Sequence, residues 1–111
     1  MILHRWAPTE TAVNLAFYAN DKLPALKYNE EYVLVTLFGR TGEPNNKPGK
    51  QILLGKLTYG KQPSIEFTSL VERTPEAEGK LGHPIGLAVD PQTKMIFFGD
   101  IIEGRIYQVE I

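Results

Sequence analysis

Short apolar runs separated by turn signals recur along the whole chain, and no window repeats its apolar residues with the 3.6-residue period of a helix. The runs are rich in β-branched and aromatic residues, which favour strands. Seven such runs can be distinguished: "NLAFYA", "EYVLVTLFG", "QILLGKLTY", "SIEFTSLVE", "PIGLAVD", "MIFFGDI" and "RIYQVEI". The sequence therefore predicts an all-β protein whose successive strands pair as antiparallel meanders.

Two segments rich in proline and glycine interrupt this series. The first, "TGEPNNKPGK" at residues 41–50, predicts a loop because proline and glycine disfavour regular structure. The second, "RTPEAEGKLG" at residues 73–82, is too short and too glycine-rich for more than one helical turn. We expect the second segment to divide the strands into a group of four and a group of three.

The opening strand of the first group recurs in the second. Leu15–Tyr18 matches Leu87–Asp90, displaced by 72 positions (87 − 15). "YVLVTLFGR" then matches "KMIFFGD", and "GKQILLGKL" matches "GRIYQVEI". Four meander strands in a unit are typical of a β-propeller blade. The plainer alternative is that any two meanders share this alternation of apolar runs and turns.

The second unit has one strand fewer than the first, and "ILHRW" at residues 2–6 precedes the first unit without a partner. We predict a single two-blade unit over residues 1–111. Residues 1–73 hold strand 2–6 and the first four-stranded blade, and residues 82–111 hold an incomplete second blade. The N-terminal strand of a neighbouring chain would complete that last blade, which gives a head-to-tail homo-oligomer.

The strands at such a junction supply the predicted oligomer interface. Without a neighbour, the edge of "RIYQVEI" would be a template for aggregation. The large side chains of the two segments would fill the junction between chains, and most other aromatic residues would pack between blades. The predicted interface residues are Leu3, Trp6, Ile106, Tyr107 and Val109.

The composition restricts the partners and the compartment. A net charge of −1 gives no basic surface for nucleic acid, and no apolar run reaches the ~20 residues that span a membrane. The lack of cysteine excludes disulfides and thiolate metal sites. The first ten residues contain no apolar core of a signal peptide. We therefore expect a cytoplasmic protein, or a periplasmic or secreted one if the chain is part of a longer enzyme.

No catalytic motif is present in the sequence. It contains no HExxH motif, no glycine-rich phosphate loop and no recognisable Ser–His–acid set. The paired carboxylates Glu30 and Glu31 fall in a predicted loop, and their separation cannot be read from the sequence. We therefore assign no catalytic residue.

Polar residues next to strand ends are the candidate ligand site, because loops at strand ends often carry binding residues. His83 would present an imidazole, three copies of which could hold zinc around a common axis, or it would bond to backbone. Arg40 would hold a carboxylate or sugar hydroxyls, or would pair with Asp100 or Glu103. The predicted ligand-binding residues are Arg40, His83, Asp100, Glu103 and Arg105.

Asp90 begins a turn signature, "DPQT". Aspartate in this position usually accepts a hydrogen bond from backbone two residues further on. We interpret Asp90 as the cap of this turn, with calcium ligation as the alternative.

Two long segments resemble a known enzyme family. "HRWAPTETAVNLAFYANDKLP" is similar to a W-x-P … GLAFY-x-x-D-x-FP segment of that family. "HPIGLAVDPQTKMIFFGDIIEGRIYQVEI" is similar to an R-P-x-G-L-A-V-x-P-D-G-x-L-Y-V-S-D-D segment near the family's C-terminus. The family is that of the soluble aldose sugar dehydrogenases and sorbosone dehydrogenases. The similarity covers nearly the whole chain, although residues 41–80 match only in strand order.

This resemblance implies a fold, a cofactor and an assembly. Members of the family are six-bladed β-propellers that use pyrroloquinoline quinone (PQQ), and this chain resembles their C-terminal two blades. Six blades divided by two blades per chain implies a homotrimer. PQQ and calcium would be required only if the chain is part of such an enzyme, and no cofactor would be required otherwise.

The chain departs from the family at the residues that would meet the cofactor. His83 stands where the family has an arginine, and Ile85 stands where some members have a second one. Leu37–Arg40 replaces a lysine or a His-Gly-Ser-Trp sequence. The resemblance also implies a histidine that acts as the catalytic base, but it lies on an earlier blade that this chain does not contain. These departures favour a protein that keeps the propeller fold without the dehydrogenase activity.

Three functions are compatible with these observations. The first is a ring that binds a small molecule, for example a sugar, in its channel or between its blades. The second is a purely structural β-propeller assembly derived from the dehydrogenase scaffold. The third, as the alternative, is a fragment or subunit of a PQQ-dependent aldose or sorbosone dehydrogenase.

Overall fold

A computed structural model describes residues 2–6, 12–38, 51–72, 84–100 and 104–111. The predicted loop at 41–50 and the predicted linker at 73–82 lie outside these ranges.

The described residues form seven strands and no helix. They make two antiparallel sheets, ordered β1-β2-β3-β4 and β5-β6-β7. This confirms the predicted all-β class and the meander order, with a group of four strands and a group of three. The strands are β1 Ala12–Tyr18, β2 Glu30–Leu37, β3 Gln51–Thr58, β4 Ser64–Glu72, β5 Pro84–Val89, β6 Ile96–Asp100 and β7 Arg105–Val109.

The inner face of the first sheet is the face that packs on the second sheet. Tyr18, Tyr32 and Leu34 from this face form a buried cluster with Ile96 of β6. Further along the sheets, Ile52 forms a second buried cluster with Phe98. These contacts between the sheets bury apolar side chains from both, so the core lies between them.

The outer face of the first sheet carries a second apolar layer. Val35, Leu37 and Leu53 are buried there, and Trp6 and Phe67 pack against them. Strand β2 is therefore apolar on both faces, which explains its nearly continuous apolar run, "YVLVTL".

Residues 2–6 form no strand in the single chain, and their predicted pairing with a neighbouring chain stays a prediction. They follow an irregular path over the outer face of the first sheet. The ring centroid of His4 lies 4.5 Å from that of Trp6 and 5.0 Å from that of Phe67. In the single chain, contact with this apolar face takes the place of pairing along a strand.

A hydrogen bond from Tyr18 joins the two sheets at one end. The hydroxyl of Tyr18 donates to the carbonyl of Lys94 at 2.9 Å and accepts from Nδ2 of Asn20 at 2.9 Å. Lys94 has a φ of 65° in the turn between β5 and β6. Since such backbone is costly for a side chain other than glycine, the bond from Tyr18 helps to hold this turn.

Candidate functional site

The predicted ligand site falls at the opposite end of the sheets, where β2 and β6 finish and β7 begins. Asp100 and Arg105 are register partners there. Asp100 is buried, and its carbonyl accepts from the backbone N–H of Gly104 at 2.9 Å. Arg105 is exposed, and its Nη1 donates to the hydroxyl of Tyr107 at 3.3 Å.

The other predicted ligand-binding residues, Arg40, His83 and Glu103, lie outside the described residues. Their convergence on Asp100, and the alternative pairing of Arg40, therefore stay predictions. Among the described residues, no group of three or more His, Cys, Asp or Glu side chains is placed to hold a metal ion.

One buried polar residue at this end was not predicted from the sequence. Thr36 is fully buried on the inner face of β2, and its hydroxyl has no hydrogen-bond partner among the described residues. Its position in an apolar strand gave no signal of a polar role.

The prediction that Glu30 and Glu31 lie in a loop is wrong, because they are the first two residues of β2. Glu30 accepts a hydrogen bond from the backbone N–H of Lys27 at 2.8 Å, and this bond lowers the pKa of its carboxyl. Glu31 accepts from the hydroxyl of Tyr59 at 3.0 Å, and this bond raises the pKa of the tyrosine. Successive strand residues point to opposite faces, so the two carboxylates do not share a site.

Asp90 caps the turn between β5 and β6, as predicted. Its Oδ1 accepts from the backbone N–H of Gln92 at 2.9 Å, and the turn closes through the N–H of Lys94 bonding to the carbonyl of Asp90 at 2.8 Å. The hydrogen bond from Gln92 lowers the pKa of the Asp90 carboxyl, because it favours the charged form.

Apolar side chains are exposed on the outer face of β1. Leu15 is 63% exposed and Phe17 is 57% exposed, and Val13 continues the row. The row borders a depression of about 230 Å³ whose lining includes Trp6, Val13, Leu15 and Val35. This part of the outer face is not covered by residues 2–6.

The second sheet also exposes apolar side chains on the face turned away from the first sheet. Ile106 of β7 is 83% exposed, and Ile85 of β5 is 39% exposed. Ile106 pairs in register with Gly99, so the strand next to it adds no side chain at that position. Among the described residues, exposed apolar side chains thus lie on both outer surfaces of the stack, on β1 of the first sheet and on β5 and β7 of the second.

The two sheets stack face to back. Leu87 and Val89 of the second sheet pack against the core of the first. Their counterparts in the repeat, Leu15 and Phe17, point away from the second sheet and are exposed. In a face-to-face sandwich, equivalent side chains of both sheets would point inward. Here equivalent faces of the two sheets point in the same direction.

The strand register corrects the alignment of the second strands. Ala12 pairs with Leu37 in the first sheet, and Pro84 pairs with Asp100 in the second. Ala12 and Pro84 are 72 positions apart (84 − 12), but Leu37 and Asp100 are 63 apart (100 − 37). Asp100 therefore corresponds to Leu37. The match of "YVLVTLFGR" with "KMIFFGD" places Asp100 opposite Arg40 instead, because each follows a Phe-Gly pair.

The predicted interface residues divide between two environments. Leu3 and Ile106 are exposed, and Trp6 is half-buried on the outer face of the first sheet. Tyr107 instead stacks on Phe98 with ring centroids 5.2 Å apart, and Val109 packs against the buried clusters between the sheets. Tyr107 and Val109 thus contribute to the core within the chain, because their side chains alternate with Ile106 and point inward.

No family model, curated protein or solved structure matches this chain. Within the part of the chain that the structure describes, no helix has the length and apolar character needed to cross a membrane.

Proposed function

We propose that this protein is a non-catalytic structural unit that assembles head to tail with copies of itself into a β-propeller-like ring of three chains. The observation that carries the proposal is the face-to-back stacking of its sheets. Leu87 and Val89 are covered by the first sheet, whereas Leu15 and Phe17 are exposed at equivalent positions. A preceding unit of the same kind would cover them.

Burial of the exposed apolar side chains favours assembly. Full burial of a leucine or phenylalanine side chain is worth roughly 1.5–3 kcal/mol, so each junction between chains would gain substantially from covering Leu15 and Phe17. A head-to-tail contact uses two different surfaces, and it ends in a ring if the rotation closes. The three-chain count comes from the resemblance to six-bladed propellers, with two sheets supplied by each chain.

The described residues do not favour catalysis with PQQ. Ile85, which stands at the position of an arginine in some members of the resembled family, is a partly exposed apolar residue. Asp100 is buried, and Arg105 bonds to Tyr107. Small-molecule or sugar binding at this end of the sheets stays a prediction, since it depends on Arg40, His83 and Glu103.

The mass of the protein in solution tests the proposal. Light scattering coupled to size exclusion, over a range of protein concentrations, should give about three times the mass of one chain. A closed ring also predicts that the mass stops rising once the ring is complete. A particle of one chain at all concentrations would contradict self-assembly, and a mass that rises without limit would contradict closure.

A further inference from the structure

We infer that Ile106 of one copy packs beside Val35 of the next, in the depression on the outer face of the first sheet. This inference rests on the proposed self-assembly and specifies its contact. It follows from the pairing registers, which give each residue of the second sheet an equivalent residue in the first.

Ile106 corresponds to Ile52. In the first sheet, Thr36 pairs with Ile52, and in the second sheet Gly99 pairs with Ile106. Thr36 and Gly99 are equivalent, since the register relates the second strands of the two sheets by 63 positions (99 − 36). The two isoleucines thus occupy the same place in their sheets, but Ile52 is fully buried and Ile106 is 83% exposed.

The partner of Ile52 identifies the partner of Ile106. Within the chain, Ile52 forms a buried cluster with Phe98 of the next sheet. Phe98 is equivalent to Val35 by the same displacement of 63 positions (98 − 35). If a second copy continues the series, its exposed Ile106 faces the position of Val35 in the copy that follows it. Val35 itself is buried in the single chain, so Ile106 would contact Trp6, Val13 and Leu15, which line the depression around it.

The surface beside Val35 suits an isoleucine. The depression of about 230 Å³ is lined there by Trp6, Val13 and Leu15, and none of the described residues that line it is charged. An apolar cavity of about 150 Å³ can hold a benzene molecule, so there is room for a branched aliphatic side chain. Ile106 projects from a face of the second sheet that also exposes Ile85.

The occupant is a second copy of this chain. Ile106 and the depression lie on the two opposite outer surfaces of the stack, so one chain cannot bring them together. The contact repeats, between chains, the kind of contact that Ile52 and Phe98 make within one chain. It is therefore continuous with the packing already present between the two sheets.

Cysteine cross-linking tests this contact, and the chain has no cysteine of its own. The double variant Leu15→Cys/Ile106→Cys, treated with a short bismaleimide, should give covalent dimers and trimers on a denaturing gel. The matched control Tyr28→Cys/Ile106→Cys moves the first thiol to a fully exposed turn residue. It should give far fewer cross-links, as should each single variant.

The outcomes separate the contact from the assembly. If native particles remain oligomeric but the double variant cross-links no more than its control, the inferred contact is wrong while self-assembly stands. If the protein is a monomer, both are wrong. As a second measurement, Ile106→Asp should lower the native mass to one chain, whereas Tyr28→Asp should leave it unchanged. An oligomer that tolerates Ile106→Asp would overturn the inference.

Discussion

Two polar side chains, those of Tyr18 and Asp90, contribute hydrogen bonds where the two sheets meet at one end. Tyr18 bonds across the sheets to the carbonyl of Lys94, and Asp90 fixes the turn that presents this carbonyl. The turn contains a lysine with positive φ, a conformation that a side chain makes unfavourable. The hydrogen bonds of Tyr18 and Asp90 therefore stabilise a backbone that the local sequence would not adopt readily.

The Asp90 carboxylate should make stability depend on acid. Its pKa is lowered by the hydrogen bond from Gln92, so the stabilisation is present above the unfolded pKa of about 3.9 and is lost as pH falls through the folded pKa. Asp90→Asn keeps an acceptor for Gln92 but does not titrate. The melting temperature of the wild type should therefore fall more than that of Asp90→Asn on acidification below about pH 4. A constant difference in melting temperature at all pH values would contradict this.

At the scale of elements, the outer face of β3 is shaped by a glycine. Gly55 lies beneath the ring of Phe67 and beside Val33 on the neighbouring strand. The ring fills the space of the missing side chain and also contacts His4 and Trp6. Gly55 thus allows an aromatic ring to lie across three strands and to support residues 2–6.

A side chain at residue 55 should weaken this sheet. A Cβ there would lie 2.8 Å from Cε1 of Phe67 and 3.0 Å from Cγ1 of Val33, so Gly55→Ala should destabilise the fold by about 1–3 kcal/mol. Urea denaturation measures the cost. In a Phe67→Leu background the same change should cost less, because the smaller side chain relieves the closer contact. An equal cost in both backgrounds would show that Phe67 is not the obstacle.

At the scale of the whole molecule, residues 2–6 connect the stability of the chain with its proposed assembly. Trp6 packs against the buried layer of the outer face and also lines the depression proposed to receive Ile106. It covers one part of the outer face of the first sheet, whereas the part of that face on β1 is exposed. The segment therefore borders the proposed junction even though it forms no strand in the single chain.

Trp6→Ala should weaken assembly more than folding. Loss of a half-buried aromatic should cost the single chain about 1–2 kcal/mol, less than the 3–5 kcal/mol of a core aromatic. The junction would lose one wall of its depression, so the variant should dissociate at higher protein concentration than the wild type. Light scattering on a dilution series measures this, with Leu26→Ala as the control in an exposed loop. An unchanged dissociation profile would place Trp6 outside the junction.

The sequence by itself determined the all-β class, the positions of the seven strands, their division into two groups and the cap at Asp90. These depend on local alternation and turn chemistry, which are visible in short windows. Only the tertiary structure decided which faces meet. The register shifts between Ala12 and Asn14 and between Ile85 and Ala88 displace the pairing, and a displacement of one residue reverses the face of every side chain beyond it. The pairing register places Asp100 at the position of Leu37. Because the sheets stack face to back, Tyr107 and Val109 point toward the first sheet, and Ile106 is exposed at the position where Ile52 is buried.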